Sequence, residues 1–65
     1  MNTKFLRSLA GEIGNEASRY TDQTGTEMRN GHQSAAQCSA TAARVLSALA
    51  YAINMAIYEA DKEPA

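Results

Sequence analysis

One histidine and one cysteine stand in this chain of 65 residues, and that scarcity bounds the chemistry it can carry. His32 and Cys38 are six residues apart, which on a helix puts them on different faces. No second Cys or His exists to complete a zinc set, and no nucleophile, base and orienter converge on a hydrolytic pattern. Cys38 therefore reads as a structural small residue and His32 as a solvated loop residue. Glu12, Glu16 and Arg19 fall at i, i+4 and i+7 on one helix face, where a Glu16–Arg19 surface ion pair is expected in preference to a paired-carboxylate site. Gly25 and Gly31 follow no strand and make no phosphate-binding loop. The sequence predicts a protein without catalytic residues, metal or cofactor.

A different kind of chemistry lies in Arg44, Ser47, Tyr51, Met55 and Tyr58. The last three are spaced i, i+4 and i+7, so the five cluster on one side of a helix. Tyrosine and arginine are enriched at interface hot spots, and methionine makes adaptable contacts. The stripe is the candidate surface for a protein partner.

The element that must carry this stripe is a long alanine-rich helix over residues 34–62. Ser34-Ala35-Ala36-Gln37 has the form of a capping box at its start, and Pro64 with the acidic run Glu59, Asp61 and Glu63 closes it. Its apolar residues follow two adjacent heptad seams. One is Ala42, Val45, Leu49, Ala52 and Ala56; the other is Ala43, Leu46, Ala50, Ile53, Ile57 and Ala60. Together they span an arc of roughly 180°, wider than the ~100° stripe that one neighbour covers.

A first, shorter helix is expected over residues 3–20, with Leu6, Leu9, Ala10, Ile13, Ala17 and Tyr20 at 3-4 spacing and Thr3 or Asn2 as its cap. Gly11 and Gly14 weaken it by about 1 kcal/mol each, and admit a close helix crossing as one reason for their presence. Residues 21–33 are rich in turn formers and end in Asn30-Gly31 before His32, so they read as the connection, with room for one helical turn at Thr24–Glu27. The fold class is all-α: one small domain, an antiparallel two-helix hairpin with a longer second helix.

The unequal lengths predict assembly. At 1.5 Å per residue the helices measure about 26 and 42 Å, which leaves Ile53, Ala56, Ile57 and Ala60 without an intrachain lid. A two-fold dimer is the simplest closed solution, with Val45, Leu46, Leu49, Ala52, Ile53, Ala56, Ile57 and Ala60 as its interface. Lys4 and Arg7 in a first turn, and Glu59, Asp61 and Glu63 in a last one, oppose the helix dipoles; each end either has this charge by chance or meets an oppositely charged partner surface.

Composition excludes other classes. A net charge of −1 offers no footprint for nucleic acid or anionic lipid, and the basic residues are scattered among acids, so a helical nucleic-acid-binding regulator is the runner-up. The start of the chain lacks the apolar core of a signal peptide, and a single cysteine fits a reducing, cytoplasmic setting. The uncharged run Val45–Tyr58 is shorter than the ~20 residues that span a bilayer, so no membrane role is expected and a membrane-active peptide is the least favoured reading. A tiny chain of alanine-rich helices without chemistry has the general profile of phage and mobile-element accessory proteins that bind and block a host protein. The sequence therefore predicts a homodimeric, non-catalytic interaction module that inhibits or sequesters another protein.

Overall fold

The computed structural model describes residues 3–62; Asn2, Glu63 and Pro64, assigned above to helix ends, lie outside them. Two helices, α1 (Lys4–Arg29) and α2 (Gln33–Lys62), fold back on each other as an antiparallel hairpin, a rod of 53 × 14 × 11 Å. The all-α hairpin expected from the sequence is present, and its second helix is the longer.

The expected connection over 21–33 is wrong by most of its length, because residues 21–29 continue α1. Threonine disfavours helix interiors partly because its hydroxyl competes for backbone groups. Here the hydroxyls bond within the helix: Thr21 donates to the Ala17 carbonyl at 3.0 Å, Thr24 to Tyr20 at 2.9 Å and Thr26 to Asp22 at 3.3 Å. The remaining propensity penalties, tenths of a kcal/mol per residue and about 1 kcal/mol at Gly25, are small beside the packing of a helix face.

What stops α1 is Gly31, whose φ of 76° is left-handed. Its N–H donates to the Met28 carbonyl at 3.1 Å and that of His32 to the Glu27 carbonyl at 2.8 Å, the paired bonds of a Schellman ending. The second helix starts at Gln33 rather than Ser34, with the Ala36 N–H bonded to the His32 carbonyl at 2.9 Å. At the other end, Thr3 is the N-cap of α1 but makes no side-chain cap bond; its hydroxyl accepts from Arg7 Nε at 3.2 Å.

Extending α1 removes the length mismatch. At 1.5 Å per residue the helices are about 39 and 45 Å long, so α1 reaches the end of α2. Ile57 is 5% exposed within the single chain, and Leu46, Ile53 and Ala60 are half-buried. These four, assigned to a dimer interface, are covered wholly or partly by α1, and the argument that a second chain must cover Ile57 does not hold.

The end charges are explained the same way. Antiparallel packing sets the start of α1 beside the end of α2, and Arg7 pairs with Asp61 across the gap. Arg7 and Asp61 each oppose their own helix's dipole while meeting their complement on the other helix, so for this pair the oppositely charged surface is intrachain.

Small side chains fill the seam between the helices. Thr3, Ala10 and Ala17 on α1, and Ala36, Ala43, Ala50 and Ile57 on α2, recur every seven residues, and with Ser39 they are the buried residues among those described. A seven-residue repeat keeps one face turned to a neighbouring helix. Alanine there lets the backbones approach toward the short end of the ~8–10 Å range of helix packing. Near the turn, the buried Ser39 hydroxyl donates to Glu27 Oε1 at 2.6 Å, which fixes the register of the two helices with a polar bond.

Candidate functional site

Covering one face of α2 with α1 divides the rest of α2 into two flanks. At 100° per residue one centres roughly 85° to one side of the line facing α1 and the other roughly 130° to the opposite side. On one flank are Ser47, Tyr51, Met55 and Tyr58; on the other are Cys38, Ala42, Val45, Leu49, Ala52 and Ala56.

The first flank is half of an open groove of about 640 Å³ whose other wall comes from α1. Ala17 and Ala50 form its floor, Gly14, Ser18 and Thr21 its α1 side, and Ser47, Tyr51, Met55 and Tyr58 its α2 side. Tyr51 and Tyr58 are 61% and 59% exposed and Met55 is 45% exposed, so large apolar surface stands in solvent beside a shallow bed of small residues. Lys62 Nζ lies 5.9 Å from the Tyr58 ring centroid, a cation–π distance that biases the ring's position. The structure brings Ser47, Tyr51, Met55 and Tyr58 together. Arg44 is exposed but is not among the residues lining this groove.

A Cβ on Gly14 or on Gly11 would meet nothing within 4 Å. The two helices of this chain therefore do not require these glycines, and the close-crossing reading fails inside the hairpin. Gly14 does keep the groove shallow-walled on the α1 side.

The second flank is a strip of exposed apolar surface. Val45 and Leu49 are 59% and 47% exposed, Ala52 and Ala56 are exposed and Ala42 is half-buried. Of the residues assigned to a dimer interface, Val45, Leu49, Ala52 and Ala56 are the ones α1 leaves open. Cys38, expected as a structural small residue, is exposed and heads this strip.

Among the described residues no three of His, Cys, Asp and Glu are grouped closely enough to hold a metal ion. His32 is exposed in the turn. Arg19 Nη2 donates to Glu16 Oε2 at 2.6 Å, the ion pair expected from their spacing. That hydrogen bond and the carboxylate's charge raise the Arg19 pKa above its ordinary value.

One feature of α2 departs from the sequence reading. With Arg44 the single charged residue between Gln33 and Tyr58, the helix contains an 18-residue stretch apolar enough, by length and composition, to cross a membrane, and 11% of that stretch is buried in the hairpin. The uncharged run Val45–Tyr58 understates its apolar length. No protein-family model, curated protein or solved structure matches this chain.

Proposed function

We propose that this chain is a non-catalytic protein–protein interaction module that pairs with a second copy of itself and binds another protein through the groove walled by Tyr51, Met55 and Tyr58, inhibiting or sequestering what it holds. The observation that carries this reading is the exposure of both tyrosines and Met55 on a rigid helix beside a bed of glycine, alanine and serine. Bulky amphipathic side chains beside an open small-residue groove form the pocket-and-anchor surface on which hot spots are built. Exposed apolar area on both flanks supports the same reading. The hairpin exposes 4942 Å², whereas a compact chain of its mass exposes about 4,000 Å². The excess of roughly 900 Å² is comparable to the ~800 Å² that one partner buries in a standard interface.

The test is replacement of Tyr51 and Tyr58 by alanine together. Both side chains are exposed, so helicity by circular dichroism and the solution mass are expected to stay unchanged. Capture of a partner identified with the wild-type chain is expected to weaken by about 2 kcal/mol or more. Undiminished capture would remove the groove from the binding surface.

The apolar stretch of α2 favours a second reading, association with a bilayer. Two features weigh against it. Arg44 near the middle of α2 costs ~2.5–3.5 kcal/mol at a bilayer centre, and α1, which covers one face of α2, has charges along its whole length. Flotation with phosphatidylcholine–phosphatidylglycerol vesicles decides between the two: co-flotation of the intact chain would favour the bilayer.

A further inference from the structure

The open flank from Cys38 to Ala56 is self-complementary in an antiparallel pairing. Cys38, Ala42, Val45, Leu49, Ala52 and Ala56 follow 4-3-4-3-4 spacing, so the strip reads the same from either end. Side-chain size also reads the same both ways: small, small, large, large, small, small. We infer that this strip pairs with the same strip of a second copy, the two α2 helices running antiparallel about a two-fold axis level with position 47. This deepens the self-association proposed above and rests on it.

About that axis Val45 faces the second copy's Leu49, Ala42 faces its Ala52, and Cys38 faces its Ala56. The large residues then meet at the centre, where 59% and 47% of their surfaces are open in the single chain. Alanine pairs toward both ends let the backbones close up. None of the six residues is charged, so nothing on the strip requires an ionic partner, and antiparallel helices have opposed macrodipoles. A parallel pairing instead sets Cys38 against Cys38 and each large residue against its own copy.

Cys38 makes the register measurable. Across an antiparallel pair the two Cys38 residues are separated by 18 helical positions, about 27 Å along the axis, far beyond disulfide reach. Position 56 of one copy faces position 38 of the other, and axes ~8–10 Å apart with Cα atoms ~2.3 Å off each axis bring facing Cα atoms to about 5 Å. That lies within the 4.4–6.8 Å disulfide range. The experiment is Ala56→Cys, an exposed position, in the full chain with oxidised glutathione, which accepts the two electrons and two protons released as each disulfide forms. Wild type and the Cys38→Ser, Ala56→Cys double variant serve as single-cysteine controls, and native mass is measured in parallel.

The expected result is a reducible covalent dimer from Ala56→Cys within minutes and at least tenfold less from either single-cysteine chain. Efficient crosslinking of wild type through Cys38 alone would show a parallel pairing and overturn the inference. A dimeric mass without crosslinking of Ala56→Cys would move self-association to another face, leaving the dimer reading intact and this one refuted. A monomeric mass at every concentration would overturn both.

Discussion

Leu49→Asp separates the two flanks of α2 most cleanly. Leu49 is 47% exposed in the single hairpin, so about half of its surface is left for a second copy to bury. Full burial of a leucine stabilises by ~1.5–3 kcal/mol, which leaves about 1 kcal/mol per copy at the pairing surface and about 2 kcal/mol for the symmetric pair. Aspartate adds an unpaired carboxylate facing Val45 of the other copy, on both sides of the axis, at ~1–3 kcal/mol or more for each group left without a partner. Together these weaken pairing by about 4–8 kcal/mol, a shift of roughly three to six powers of ten in the dimer dissociation constant. Sedimentation equilibrium over a wide concentration range reads this directly, with Arg44→Asp on the outward side of α2 as the control that leaves the constant unchanged. A Leu49→Asp chain that dimerises as tightly as wild type would refute the assignment of the strip. Ile53→Asp is not a substitute, because Ile53 is half-buried on the seam with α1, and the charge would damage the hairpin itself.

Two further substitutions test what holds the hairpin, each read by chemical denaturation at one fixed protein concentration. Gly31→Ala is expected to cost ~1–2 kcal/mol, the strain of a left-handed residue with a Cβ, since the new atom itself would meet nothing within 4 Å; no loss would mean the turn relaxes without its Schellman bonds. Ser39→Ala removes the donor at 2.6 Å from the half-exposed Glu27 carboxylate and is expected to cost about 1.5 kcal/mol, the low end for hydrogen bonds to charged groups; a neutral result would take that bond out of the forces setting register.

Much of the fold was legible in residue type and spacing, and the failures have physical causes. The α2 periodicity marks the helix because its two seams run unbroken from Ala42 to Ala60. Local propensity at Thr21, Thr24, Gly25 and Thr26 hides the end of α1, because what carries the helix through them is packing against α2, a tertiary fact, with the threonine hydroxyls accommodated on i−4 carbonyls. One signal was available: Thr3, Ala10, Ala17 and Thr24 recur every seven residues straight through the supposed break. Arg7 and Asp61 are unfavourable against their own dipoles, and only the antiparallel hairpin makes them neighbours. Tyr51, Met55 and Tyr58 were recognised as a stripe, but spacing within α2 could not show the α1 residues, Gly14, Ser18 and Thr21, that turn it into a groove. Nor could spacing decide which of two adjacent seams faces α1. The strict alanine repeat at 36, 43 and 50 favours the second seam, because a close approach requires small residues at every turn of the contact.

The placement of the flanks has a consequence for binding. In the proposed pairing the two α2 helices meet through the Cys38–Ala56 strip, so each tyrosine groove, roughly 220° around its own helix from that contact, faces away from the axis. The dimer then presents two identical grooves on opposite sides, each built from one chain. Binding is expected at one partner per chain, with no groove blocked by the other copy. Leu49→Asp is expected to leave the affinity for a soluble monovalent partner within about twofold, because Leu49 does not line the groove. On a surface densely coated with partner, wild type can engage two sites at once while the monomeric variant cannot, and apparent affinity is expected to fall by ~10²-fold or more through lost avidity alone. Equal loss in both formats would place part of the partner surface on the strip itself, and equal retention would show that the two grooves never act together.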